Sequence, residues 1–199
     1  GFVYSLAVAS QMVKSGLYNK ILIIGAETLS RIMNWTDRNT CVLFGDGAGA
    51  AVVGEVEEGY GVLGIDMGAD GNGSRNPASE ETVAAKDHTI HMNGQEVFKF
   101  AIQIMGKTAK RALAKANMKP EELDMLFPHQ ANYRIITSAA KRLKMPMDKV
   151  WVNVDKYANT SAASIPIALC EAQKAGALKK GDNIILDGFG AGCHCPQME

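Results

Sequence analysis

Between residues 123 and 190 three short apolar runs, LDMLF, VWVNVD and NIILDGFG, alternate with two amphipathic segments, NYRIITSAAKRL and SAASIPIALCEAQKAG. Short apolar runs read as buried strands and the segments between them as helices, so the spacing predicts a β-α-β-α-β series on a parallel or mixed sheet. Reactive side chains in open α/β sheets sit just beyond the carboxyl ends of the strands, where loops converge on a crevice. Three loops qualify here: PHQAN after residues 123–127, KYANTSAAS after 150–155 and GFGAG after 183–188. They predict one pocket containing His129, Asn159 and the backbone of residues 190–192.

Upstream, GFVYSLAVASQMVKSG has helical apolar spacing, with Gly16 where a C-terminal cap belongs, and reads as a helix whose start lies ahead of Gly1. ILIIGAE (21–27) and CVLFGDGAGAAVVGEV read as two buried strands, the second broken by glycines. GVLGIDMGAD reads as a further strand, followed by a long glycine-rich and polar excursion of the kind that often carries function. Residues 94–117 read as one long amphipathic helix, with Val97, Phe98, Ala101, Ile104 and Met105 on one side and Lys107, Arg111 and Lys115 on another.

Composition narrows the function classes. With 47% hydrophobic residues in 199, the chain can bury a core, and disorder is not expected. Lys plus Arg and Asp plus Glu both number 21, so no overall field draws the protein to nucleic acid. No apolar run reaches the roughly 20 residues of a membrane span and no signal pattern opens the chain; the default expectation is a cytoplasmic protein. The four cysteines, Cys41, Cys170, Cys193 and Cys195, have no framework spacing and read as reduced thiols. Cys193, His194 and Cys195 are all metal-ligand types, but adjacent residues diverge and no second ligand pair follows, so no metal site is expected.

Each loop also has a plain structural reading. A lone His after a strand is commonly a hydrogen-bonded structural residue, the Asn of ANTS suits a turn or helix cap, and glycine loops can be tight turns. Set against this, an imidazole and a carboxamide at equivalent strand ends are both donors suited to a developing oxyanion.

Taken together, GFVYSLAVA, TDRNTCVLFGDGAGAAV, MNGQEVFKFA, FPHQANYRI, NTSAASIPIAL and GFGAG resemble the β-ketoacyl-acyl-carrier-protein synthase III family, the condensing enzymes that initiate bacterial fatty acid synthesis. The resemblance implies a thiolase-like layered α/β/α/β/α fold made of two similar halves. Residues 1–59 would be the end of the first half and 60–199 most of the second. It implies an acyltransferase that condenses acetyl-CoA, or another acyl-CoA starter, with malonyl-acyl carrier protein. The enzyme would be a homodimer with no metal or organic cofactor, since CoA and carrier-protein thioesters are substrates.

By the same resemblance His129 and Asn159 are catalytic, and the nucleophilic Cys lies two residues ahead of Gly1-Phe2, so this chain alone is expected to be inactive. Ala191 supplies an oxyanion-hole N–H. Arg38 meets the CoA adenine; Leu43, Gly94, Phe98, Ala131 and Asn132 line the pantetheine channel. Arg134 docks the acidic carrier protein, with the Lys107, Arg111 and Lys115 row as an extension of that patch. Cys41, in a strand, and Cys170, in a helix, read as small buried hydrophobes. After GFGAG the chain departs from the family, reading CHCPQME where a Trp-containing strand is expected. Two other readings are a secondary-metabolism ketosynthase with a different starter or acceptor, and a non-catalytic dimerisation or carrier-binding module.

Overall fold

The computed structural model describes residues 1–69, 83–86 and 89–190. Helix α1 (Phe2–Lys14) buries Phe2, Ala7, Ala9 and Val13 and stops where Gly16 turns to φ +74°, a left-handed conformation that glycine adopts without steric cost. Strands β1 (Lys20–Glu27) and β2 (Gly47–Gly54) pair antiparallel over their whole length, from Lys20 opposite Gly54 to Glu27 opposite Gly47. One face of this ribbon, with Ile21, Ile23, Ala51 and Val53, packs on Phe2 and Ala9 of α1 and on Ile165 and Leu169. Leu22, Ile24 and Val52 on the other face are 60–67% exposed, although uninterrupted apolar strands are the pattern of a sheet covered on both sides.

Helix α6 (Ser164–Lys174) crosses the covered face at backbone distance. A Cβ on Gly25 would stand 2.5 Å from the Ala162 carbonyl oxygen, one on Gly49 2.8 Å from the Pro166 ring, and one on Gly47 2.9 Å from Ile167 Cδ1. Side chains do not pack at those separations. The glycines that interrupt the second apolar run therefore clear the seat for the helix and for the turn before it.

Strands β5 (Met125–Pro128) and β6 (Ile184–Asp187) are parallel, with Met125 opposite Ile184 and Pro128 opposite Asp187. Val150 bridges Leu126 on the other side of β5, also in parallel. Helices α3 (Lys107–Lys115) and α4 (Tyr133–Leu143) cover one face of this layer: Ala109, Leu113, Ile136, Ala140 and Leu143 bury against Leu126 and Ile185. Ala168 and Ala172 of α6 cover the other, against Met125 and Phe127. A strand between two helical layers is apolar at every position, which is why LDMLF shows no alternation.

Several sequence expectations are corrected. The single helix over 94–117 is two, α2 (Gly94–Ile104) and α3, because Gly106 turns left-handed at φ +54°. Its N–H donates to Asp187 Oδ2 at 2.9 Å instead of continuing the helical ladder. VWVNVD is not a strand beyond Val150. Asn153 begins a single turn, α5 (Val154–Tyr157), and its N–H goes to the side chain of Gln130. The 62–67 stretch forms no strand; it lies against α3, where Asp66 pairs with Arg111 Nε at 2.8 Å and Lys115 Nζ at 3.0 Å. The excursion after it contains β3 (Val83–Lys86), paired antiparallel with β4 (Thr89–Met92). Cys41 sits in a turn, its N–H donating to Asp37 O, and is only half-buried; Cys170 is exposed on α6. Cys193, His194 and Cys195 lie outside the described residues, among which no group of three or more His, Cys, Asp or Glu is placed to hold a metal ion. Among the described residues no helix is long and apolar enough to cross a membrane.

Candidate active site

Strand β5 ends at Pro128, which has no N–H to offer a ladder, and the next N–H, that of His129, donates to Asp187 O at 2.7 Å. The imidazole is 9% exposed. Its Nδ1 lies 2.6 Å from Ser164 Oγ, and the Phe189 ring meets it edge-on with centroids 5.5 Å apart. Burial pushes its pKa down to about 4, so the ring is neutral at pH 7. The Gln130 N–H points at Ser164 Oγ from 3.5 Å. With the Ser164 hydroxyl donating to Nδ1, the neutral ring carries its proton on Nε2, which makes that nitrogen a donor.

Asn159 stands in a turn between two left-handed residues, Ala158 (φ 57°) and Ser161 (φ 48°). Its N–H donates to Leu43 O and its carbonyl accepts from the Gly45 N–H, each at 2.9 Å, which pins the turn to the segment leading into β2. The side-chain oxygen accepts from the Ser161 N–H at 2.9 Å. With Oδ1 occupied, the amide presents Nδ2, again a donor. Nearby, Glu27 at the end of β1 accepts the Ala162 N–H at 3.2 Å and holds the following turn against the strand.

His129, Asn159 and residues 188–190 line one cavity of about 1560 Å³, together with Gly1 at the start of α1. The three loops singled out by their place after apolar runs thus converge. Glycine at 188 keeps the neighbourhood of the imidazole open, since a Cβ there would already touch His129 Cβ at 3.4 Å.

The remaining candidates are distributed around this centre. Leu43 meets Asn159 through its carbonyl and is not on the cavity wall, whereas its neighbour Phe44 is. Ala131 packs beside Phe98 and Phe189, and Asn132 caps α4, accepting the Arg134 N–H at 2.8 Å. The Phe98 ring lies beneath the Arg134 guanidinium, 5.4 Å from centroid to carbon, so the supposed channel residue and the supposed docking residue form one stacked pair. Gly94 is the exposed first residue of α2, and Arg38 is exposed in the 37–43 turn; neither reaches the cavity wall. Ala191 lies outside the described residues. Arg111 and Lys115, two of the three cations of the helix row, both pair with the buried Asp66 carboxylate. Nothing in the sequence marks Ser164 or Gln130: a Ser at a helix start and a Gln in a loop look the same whether they face solvent or a buried polar group.

A family description, 3-oxoacyl-acyl-carrier-protein synthase III, matches residues 1–71, and its C-terminal counterpart matches residues 113–196. A β-ketoacyl-acyl-carrier-protein synthase III of Caldanaerobacter subterraneus subsp. tengcongensis is 59% identical over 96% of this chain and 61% of its own length. The chain belongs to the 3-oxoacyl-acyl-carrier-protein synthase III family. Among solved structures of similar proteins, the synthase III of Thermus thermophilus covers 98% of this chain and 62% of its own, at 47% identity and a TM-score of 0.90. The priming β-ketosynthase of the R1128 polyketide pathway follows at 32% identity and a TM-score of 0.85, over 96% of this chain and 60% of its own. The fold is accordingly the thiolase-type α/β arrangement of the synthase III enzymes, and the chain spans about three-fifths of the length of these relatives.

Proposed function

We propose that this chain is the larger part of a decarboxylating condensing enzyme that joins an acyl-CoA starter to malonyl-acyl carrier protein and so initiates fatty acid synthesis. The observation that carries the reading is the pair of side-chain donors, His129 Nε2–H and Asn159 Nδ2–H, on one cavity with a ring that stays neutral. As the bond from the malonyl carbon to its carboxylate breaks, the electron pair moves onto the thioester oxygen. Two donors fixed in advance stabilise that charge without reorganising. The enolate carbon then attacks an acyl thioester on a cysteine thiol, and the thiolate leaves. In this family the thiol lies two residues ahead of the Gly-Phe pair that is Gly1-Phe2 here. Gly1 lines the same cavity, at the N-terminus of α1, where a thiolate is favoured by the helix dipole.

Acetyl-CoA as the starter, a homodimeric state, a cytoplasmic site of action, the adenine contact of Arg38, and the channel roles of Leu43, Gly94, Phe98, Ala131 and Asn132 belong to the same proposal. So does the Ala191 N–H as an oxyanion donor. Arg134, held over Phe98 of α2, suits an acidic carrier. A secondary-metabolism ketosynthase is the alternative, favoured by the likeness to the R1128 priming enzyme.

The test uses the chain completed to the length of the Caldanaerobacter relative and measures carbon dioxide release from malonyl-carrier protein without a starter. His129→Ala and Asn159→Ala should each slow it about 100 to 1000-fold, and replacing the upstream Cys by Ala should not abolish it. Arg134→Glu should raise the KM for malonyl-carrier protein well above any change in that for acyl-CoA. Decarboxylation at the parent rate in the Asn159→Ala enzyme would overturn the assigned chemistry.

A further inference from the structure

We propose that Gln130 is a positioning residue that sets the separation of His129 and Asn159 by bridging the two loops that carry them. The inference rests on the donor-pair reading above and concerns how that pair is held.

Gln130 is 1% exposed, and its side-chain amide is engaged at both ends. Nε2 donates to Pro128 O at 2.9 Å and to Trp151 O at 3.1 Å, while Oε1 accepts the Asn153 N–H at 2.9 Å. Two carbonyls and an N–H permit only one orientation of the amide, since the flipped form would set oxygen against oxygen. One side of the bridge is therefore the residue immediately before His129. The other is Asn153, which starts the single turn α5; the Lys156 and Tyr157 N–H groups donate to Asn153 O and the Ala158 N–H to Val154 O. Asn159 is the next residue. One rigid turn thus carries the position of Asn153 to Asn159.

The far side of the turn is tied as well. Asn153 Nδ2 donates to Glu171 Oε2 at 2.7 Å, and the Tyr157 hydroxyl donates to Glu171 Oε1 at 2.9 Å. The first and last parts of α5 are fastened to one carboxylate on α6, the helix whose first residue, Ser164, holds the imidazole. A glutamine needed only to fill the core would be satisfied by any partners. These partners lie one residue from His129 and one helical turn from Asn159.

The experiment measures two steps separately in the completed enzyme: single-turnover acyl transfer from acyl-CoA to the thiol, and decarboxylation of malonyl-carrier protein. In Gln130→Ala the kcat for decarboxylation should fall about 10 to 100-fold, the effect of a misplacement on the order of 1 Å. The KM for malonyl-carrier protein and the acyl-transfer rate should stay within about threefold, inside the error with which independent sites add. In an Asn159→Ala background the same substitution should cost less than about threefold, because there is no longer a pair to space. Glu171→Ala, on the exposed side of the network, should give the same split with a smaller loss and covers the case in which Gln130→Ala does not fold. Equal losses in both steps, or an undiminished cost of Gln130→Ala in the Asn159→Ala background, would overturn the inference. So would the parent decarboxylation rate in Glu171→Ala. If His129→Ala and Asn159→Ala themselves decarboxylate normally, the donor-pair reading fails; if they lose activity while Gln130→Ala keeps it, only the role of Gln130 fails.

Discussion

A neutral imidazole has two tautomers, and in this cavity a hydroxyl selects between them. A Ser164 hydroxyl that donates to Nδ1 leaves the ring proton on Nε2. Ser164→Ala frees the ring to adopt either form, and loss of one such hydrogen bond should lower the decarboxylation rate about two- to tenfold. The pH behaviour should change little, because burial keeps the ring neutral. With a folded pKa of about 4 against an ordinary 6.5, the unfolded chain takes up the proton first as pH falls. This contribution to stability is therefore complete above about pH 6.5 and lost as pH drops through 4. Denaturant unfolding at pH 7 and pH 4.5, run alongside the rate assay, checks both statements. A Ser164→Ala enzyme at full rate would remove the tautomer argument.

The junction of α2 and α3 shows how one buried carboxylate shapes two elements. Asp187 accepts from Gly106 N–H and from Thr108 Oγ1 at 2.7 Å, and both bonds act against its burial. Burial still dominates: it raises the pKa to about 7, helped slightly by Asp66 and opposed by Thr108 and the Gly188 N–H. Since the folded state holds this proton to higher pH than the unfolded chain, its stabilising contribution is full below about pH 3.8 and is lost as pH rises through 7. Asp187→Asn should flatten stability between pH 4 and 7, so the variant gains on the parent as pH rises. Melting curves that keep their parent pH slope would contradict it.

This junction also marks where the sequence stops being readable. Strand β5 and helices α4 and α6 are legible because their apolar spacing is local and agrees with their burial; β1 and β2 are legible as strands although one face of each is exposed. The break at Gly106 is dictated by a residue 81 positions away, and nothing in the periodicity of 94–117 announces it. VWVNVD alternates like a strand, yet Gln130 and Glu171 draw Asn153 out of the ladder. The candidate site follows the same division. Loops after apolar runs locate His129 and Asn159, while the partners that orient them, Ser164, Gln130 and Glu27, are chemically ordinary and reach across from other segments: Ser164 to His129, Gln130 to Asn153 and Glu27 to Ala162.

At the scale of the molecule the outer face of the β1–β2 ribbon dominates. Leu22, Ile24 and Val52 stand more than half exposed, with Val42 68% exposed in the preceding turn. Contiguous apolar surface of this kind drives association unless it is covered. The 199-residue chain expressed alone should bind a hydrophobic dye and self-associate. Ile24→Lys, which is not on the cavity wall, should reduce both. A monodisperse chain that leaves the dye dark would show that the face is covered in some other way.

The bare seat beneath α6 has a consequence for how such a protein can change. At Gly25, Gly47 and Gly49 every amino-acid replacement adds a Cβ where a backbone or side-chain atom already lies within 2.9 Å. A side chain at Gly25 presses on the Ala162 backbone in the turn after Asn159, one at Gly49 on Pro166 in the helix that carries Ser164, and one at Gly47 on Ile167 and Thr160. Divergence in substrate preference has to travel through other positions, such as the loops and the channel wall. The floor under the donor pair is inherited as a block.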